Sequence, residues 1–103
     1  MICATWLKRD DVLCGFDLQG HSESAPSGRD IVCAAVSSAA YMAANTVTDV
    51  CGCTADIREE DGHFTLTVTK GEANAQAILQ GFQLHMEGLA EQYPNFIKIL
   101  TEV

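Results

Sequence analysis

Positive charge is scarce in this chain. Six Lys and Arg stand against 14 Asp and Glu, for a formal net charge of −8. The basic residues never cluster, which argues against a phosphate-backbone partner. An acidic surface suits a basic protein or peptide instead, although net charge also serves solubility. A secretory signal is missing, since no charged n-region precedes an apolar core, and no apolar run is expected to reach the roughly 18 residues of a membrane span. The expectation is a cytosolic protein with no membrane and no direct nucleic-acid contact. Cys3, Cys14, Cys33, Cys51 and Cys53 make an odd count, and the cytosol keeps thiols reduced, so a disulfide framework is not expected. A CxxC redox motif is lacking. Cys51 and Cys53 with His63 offer metal-ligand atoms but lack the matching second pair of a structural zinc site. Low-complexity segments and internal repeats are also missing.

What remains is an ordinary globular composition, 48% hydrophobic and 19% charged over 103 residues, which predicts one domain spanning 1–103. Met1 to Leu7 places Ile2, Ala4 and Trp6 on one face of a strand. Lys8-Arg9-Asp10-Asp11 is a charged turn. Val12, Cys14, Phe16 and Leu18 then alternate with Leu13, Gly15, Asp17 and Gln19, which completes a hairpin. Gly20 to Arg29 has no apolar period and reads as a loop. A helix is predicted from Ile31 to about Asp49, N-capped by Asp30 and stopping near Cys51-Gly52-Cys53. It is apolar around most of its circumference, so a second surface, such as a partner subunit, is expected to cover it. Cys53 to Ile57 and Phe64 to Val68 alternate as strands around a turn at Glu59-Glu60-Asp61-Gly62. Ile78, Phe82, Met86, Leu89 and Tyr93 form one stripe of a helix from about Glu72 to Tyr93, ended by Pro94. Phe96 to Glu102 is a last strand. The order β-β-α-β-β-α-β predicts an α+β fold, one mixed sheet packed with two helices.

One pair of residues points to chemistry. His21 sits on a Gly/Ser/Pro loop, and Cys33 follows twelve residues later in the first turn of the long helix. A thiol there feels the positive end of the helix dipole, which favours the thiolate. A histidine alongside completes the minimum equipment for attack on an acyl carbon: Cys33 as nucleophile and His21 as general base and acid. Most cysteines merely pack and most loop histidines are merely solvated, but no other Cys here has this setting. Cys3 and Cys14 read as strand core. His63 borders a hairpin turn and His85 lies on the second helix, so both are weaker candidates. Asp30 is spaced from Cys33 as N-cap to N3, and a carboxylate near His21 would also orient the imidazole. Ser37, one turn after Cys33, either donates to the site or bonds back to the Cys33 carbonyl. Gly20 and Gly28 supply backbone freedom to the loop.

Gly20-His21, then Gly28, then Asp30-Ile31-Val32-Cys33-Ala34-Ala35-Val36-Ser37 resembles the signature of the ribosomal-processing cysteine protease family, Prp. The order of elements is similar over essentially the whole chain. The resemblance implies a bacterial, homodimeric, cofactor-free cysteine endopeptidase. Such an enzyme removes a short N-terminal extension from a basic protein of the large ribosomal subunit, cutting after an aromatic pair. It maps the catalytic Cys onto Cys33 and the His onto His21, with Asp30 and Ser37 as the motif's Asp and Ser. The segment Gly20 to Arg29, including Ser22 where the family often has Ala, would be the family's mobile substrate-binding loop. The rival expectation is a non-catalytic acidic homodimer that binds a basic ribosomal protein during assembly; a thiol-dependent acyltransferase or thioesterase is a third.

Overall fold

The computed structural model describes residues 1–21 and 30–100. Ser22 and Gly28 therefore lie outside the described residues, as does the end of the expected last strand. The first hairpin is β1, Ile2–Arg9, and β2, Val12–Gln19. Its two-residue turn puts Asp10 at φ 55° and Asp11 at φ 64°, a left-handed pair that matches strand twist and that Asp tolerates well. Lys8 and Arg9, expected in the turn, are strand residues.

Helix α1, Ile31–Asn45, follows and runs into a π-helical turn, Thr46–Val50. The second hairpin is β3, Thr54–Glu60, and β4, His63–Lys70. A 3₁₀ turn, Glu72–Ala75, leads into α2, Gln76–Gln92, and the chain closes with β5, Ile97–Leu100. The second α-helix thus starts four residues later than the expected Glu72. Gly71 at φ 90° feeds a tight turn before the α-helical ladder begins.

The five strands form one mixed sheet in the order β3-β4-β2-β1-β5, antiparallel except for β1 against β5. The fold is α+β, as the sequence predicts. Both helices contribute to one core on a single sheet face. There Ile2, Ala4 and Trp6 from β1, Phe16 and Leu18 from β2, and Leu66 and Val68 from β4 meet Val32, Val36 and Ala40 from α1 and Leu79, Phe82 and Met86 from α2. Phe16 lies 4.6 Å from Phe82 between ring centroids, and Trp6 stands edge-on to Phe82 at 5.8 Å. The register slips between Leu7 and Lys8, a bulge that buries Leu13 beside Cys14 and breaks the strict alternation expected of β2. Cys3 is only half-buried, in register with Gln19 and out of phase with the helix-facing residues, so it is not a core residue.

One expectation needs correction. Ile31–Val50, the two helical segments together, is 20 residues long with mean hydropathy 1.4, apolar enough by length and composition to cross a membrane. About a third of that window is buried within the protein, where the helix packs on the sheet.

Candidate active site

Cys33 owes its place to Asp30. The Asp30 backbone is extended (φ −80°, ψ 98°), and its Oδ1 accepts the Cys33 N–H at 2.9 Å, while its carbonyl accepts the Ala34 N–H at 3.1 Å. This is an N-cap with Cys33 at N3, so the carboxylate fixes the turn that carries the thiol. Cys33 itself is half-buried.

His21 is placed by three backbone constraints. It follows β2 after one residue, Gly20. Gly20, at φ 96°, donates its N–H to the Gly62 carbonyl at 2.8 Å, and a Cβ on Gly20 would stand 2.2 Å from the Met1 carbonyl oxygen. The N-terminal amino group of Met1 also donates to the His21 carbonyl. Only glycine fits where β1, β2 and the β3–β4 turn converge. The ring is about half exposed, and its Nε2 lies 3.7 Å from Asp61 Oδ1.

Gly20, His21, Cys33 and Ser37 all line one open cavity of about 430 Å³. Its apolar lining is Ile2, Leu18, Val36, Ala40, Tyr41 and Phe64; its acidic lining is the end of the second hairpin, Glu59 to Asp61, followed by Gly62 and His63. Tyr41 stands edge-on to Phe64 at 5.5 Å. Such a site seats an apolar side chain beside a nucleophile and offers carboxylates to a basic neighbour. Ser37 is exposed at the cavity edge. The hairpin residues Glu59, Glu60 and Asp61 escaped the sequence analysis as site residues. The Asp-Gly signal marks the turn, but only the pairing of Gln19 with His63 in the sheet brings that turn to His21.

His63 borders the same cavity, and the other thiols and His85 sit away from it. Cys53 is buried and donates its S–H to the Gly71 carbonyl at 3.1 Å. Burial, then Cys51, then Glu72 push the Cys53 thiol above its ordinary range. His63 Nε2 lies 3.2 Å from Asp17 Oδ2 and 2.9 Å from Thr65 Oγ1, and His85 is exposed on α2. Cys53 and His63 are thus at opposite ends of β4, too far apart to share a metal. Among the described residues no three His, Cys, Asp or Glu are grouped to hold one.

Comparison with known proteins agrees with this architecture. The family model described as cysteine protease Prp matches residues 1–98. The chain is 27% identical to the ribosomal processing cysteine protease Prp of Bacillus subtilis, covering 100% of this chain and 99% of that one. A crystal structure of a Streptococcus mutans protein superposes with TM-score 0.83 at 30% identity, covering 99% and 94% of the two chains. The structure of S. aureus Prp in complex with a covalently linked product peptide superposes with TM-score 0.89 at 25% identity, covering 99% and 100%. With a helix-start cysteine and a strand-end histidine on one cavity, and the family's model matching residues 1–98, the chain belongs to the cysteine protease Prp family.

Proposed function

We propose that this chain is a cytosolic endopeptidase that removes a short N-terminal extension from a basic protein of the large ribosomal subunit, cutting after an aromatic pair. The observation that carries the reading is the shared cavity: Cys33 and His21 face one apolar wall and one acidic wall. Cys33 Sγ attacks the scissile carbonyl carbon as its proton passes to His21. The tetrahedral intermediate collapses to an acyl-enzyme, and His21 returns the proton to the leaving amine. Water, deprotonated by His21, then hydrolyses the thioester and restores both groups. The α1 N-terminus stabilises negative charge at the sulfur. Because Asp30 occupies the Cys33 N–H, the oxyanion is received by other N–H donors at this helix start. Tyr41 and Phe64 supply the apolar surface for an aromatic side chain, and Glu59 and Glu60 face basic residues of the substrate. The peptide bound covalently in the S. aureus relative supports a covalent route.

The protein acts as a homodimer in this reading. Ile31 and Met42, three turns apart on α1, are 68% and 54% exposed and share a face with exposed Ala34 and Ser38. Replacement Met42→Asp should convert a dimer to a monomer in analytical ultracentrifugation; a wild-type monomer contradicts it. The function is tested by incubating the extended ribosomal-protein precursor with the enzyme and measuring intact mass. The wild type should release the extension, and Cys33→Ala should leave the precursor whole; cleavage by Cys33→Ala rejects the nucleophile.

A further inference from the structure

We propose that the tip of the β3–β4 hairpin, Asp61-Gly62, is the positioning element for His21. It holds Nε2 as the N–H nitrogen towards the turn and leaves Nδ1 as the nitrogen that serves the Cys33 thiol. The inference rests on the reading of His21 as the proton carrier for Cys33.

The contacts are specific to this ring edge. A Cβ on Gly62 would lie 3.0 Å from His21 Nε2, but 3.5 Å and 3.7 Å from Cδ2 and Cε1, so the Nε2 corner is the part that rests on the turn. Gly62 has φ +78°, so the turn needs glycine for its own backbone, and the same lack of a side chain makes the seat for the ring. The Gly20 N–H bond to the Gly62 carbonyl locks the backbone next to His21 onto that turn. Asp61 Oδ1 then stands 3.7 Å from Nε2. A carboxylate only accepts hydrogen bonds, and a neutral imidazole carries one N–H and one lone pair. A carboxylate on the Nε2 side therefore favours the Nε2–H tautomer and puts the lone pair on Nδ1.

Among the described residues, other charged or titratable groups also surround the site. Asp30 on the α1 side bonds the Cys33 N–H through Oδ1, and the Met1 amino group binds the His21 carbonyl. His63 from β4 has its Nε2 on Asp17 and Thr65. Glu59 and Glu60 line the cavity from the end of β3, while the ion-pair distance to the His21 ring belongs to Asp61. Asp61 acts through His21, not on the substrate. The side chain is nearly fully exposed, so its effect is modest and the hairpin backbone does the coarse placement.

The test is ring ¹⁵N NMR on the full chain in alkaline buffer, where a histidine ring is neutral, with the His21 signals assigned by their loss in His21→Ala. The wild type should show His21 mainly as the Nε2–H tautomer. Asp61→Ala should shift the population towards Nδ1–H by about two- to fivefold, the scale of an exposed ion pair, and Asp61→Glu should restore it. Turnover of a cleavable peptide should follow, with kcat reduced by a similar factor and KM unchanged in Asp61→Ala. Gly62→Ala should also displace the tautomer ratio; if that variant does not fold, Asp61→Ala decides alone. A wild-type ring dominated by Nδ1–H, or a ratio untouched by Asp61→Ala, overturns the proposal. Failure of the underlying reading has a different signature: Cys33 alkylation indifferent to His21→Ala, whatever the tautomer.

Discussion

Helix α2 turns Leu79, Phe82 and Met86 to the sheet, whereas α1 buries only Val and Ala there and leaves Ile31 and Met42 outward. Over α2 the space is filled by large rings, Trp6, Phe16 and Phe82. Beside α1, Val36 and Ala40 are too small to fill the room between the helix, Leu18 and Phe64, and the unfilled part is the cavity. The two N-termini differ in the same sense. That of α1 is held by a side-chain cap, while α2 starts from a 3₁₀ turn with no side-chain cap. One helix supplies most of the packing, and the other gives up packing to make a site.

Phe82→Ala breaks the comparison most severely. Losing a side chain that is 2% exposed should cost about 3–5 kcal/mol, seen in urea unfolding, with Cys33 labelling unchanged in the molecules that remain folded. Equal loss of labelling in that folded fraction would show that the two helices are not separable. On the α1 side, Asp30→Ala removes a cap and should cost about 1 kcal/mol of stability. Peptide cleavage should fall disproportionately, because the turn bearing the thiol loosens; a purely proportional fall would reduce Asp30 to a stability residue. The smallest effect concerns Cys53, whose thiol is held protonated mainly by burial. The unfolded chain then releases this proton at lower pH than the folded one, so stability contributed by Cys53 is lost as pH rises past the ordinary 9.0 of a thiol. Melting temperatures from about pH 7 to 10 should decline more steeply in the wild type than in Cys53→Ala. Parallel curves would contradict this.

Much of this was legible in local sequence because the signals are themselves local. Ile2, Ala4 and Trp6 alternate, Asp30 precedes an apolar helix by one residue, and Asp61-Gly62 marks a turn; each holds in three dimensions. The start of α2 misled, since nothing in Glu72–Ala75 itself separates a 3₁₀ turn from the first turn of an α-helix. The bulge at Leu7/Lys8 also escaped, because it depends on how two strands slide past each other. The acidic wall of the cavity escaped for the same reason. Glu59 to Asp61 reach His21 only through the pairing of β2 with β4, a contact between residues more than 40 positions apart.

The central claim, that Cys33 reacts because His21 serves it, is tested most directly by site-resolved alkylation. Intact protein is treated with limiting iodoacetamide at neutral pH and mapped by peptide mass, in the wild type and in His21→Ala. Cys33 should be modified well before Cys3, Cys14, Cys51 and Cys53, and His21→Ala should slow that site alone. Uniform labelling of the five thiols, or a Cys33 rate untouched by His21→Ala, would contradict the account.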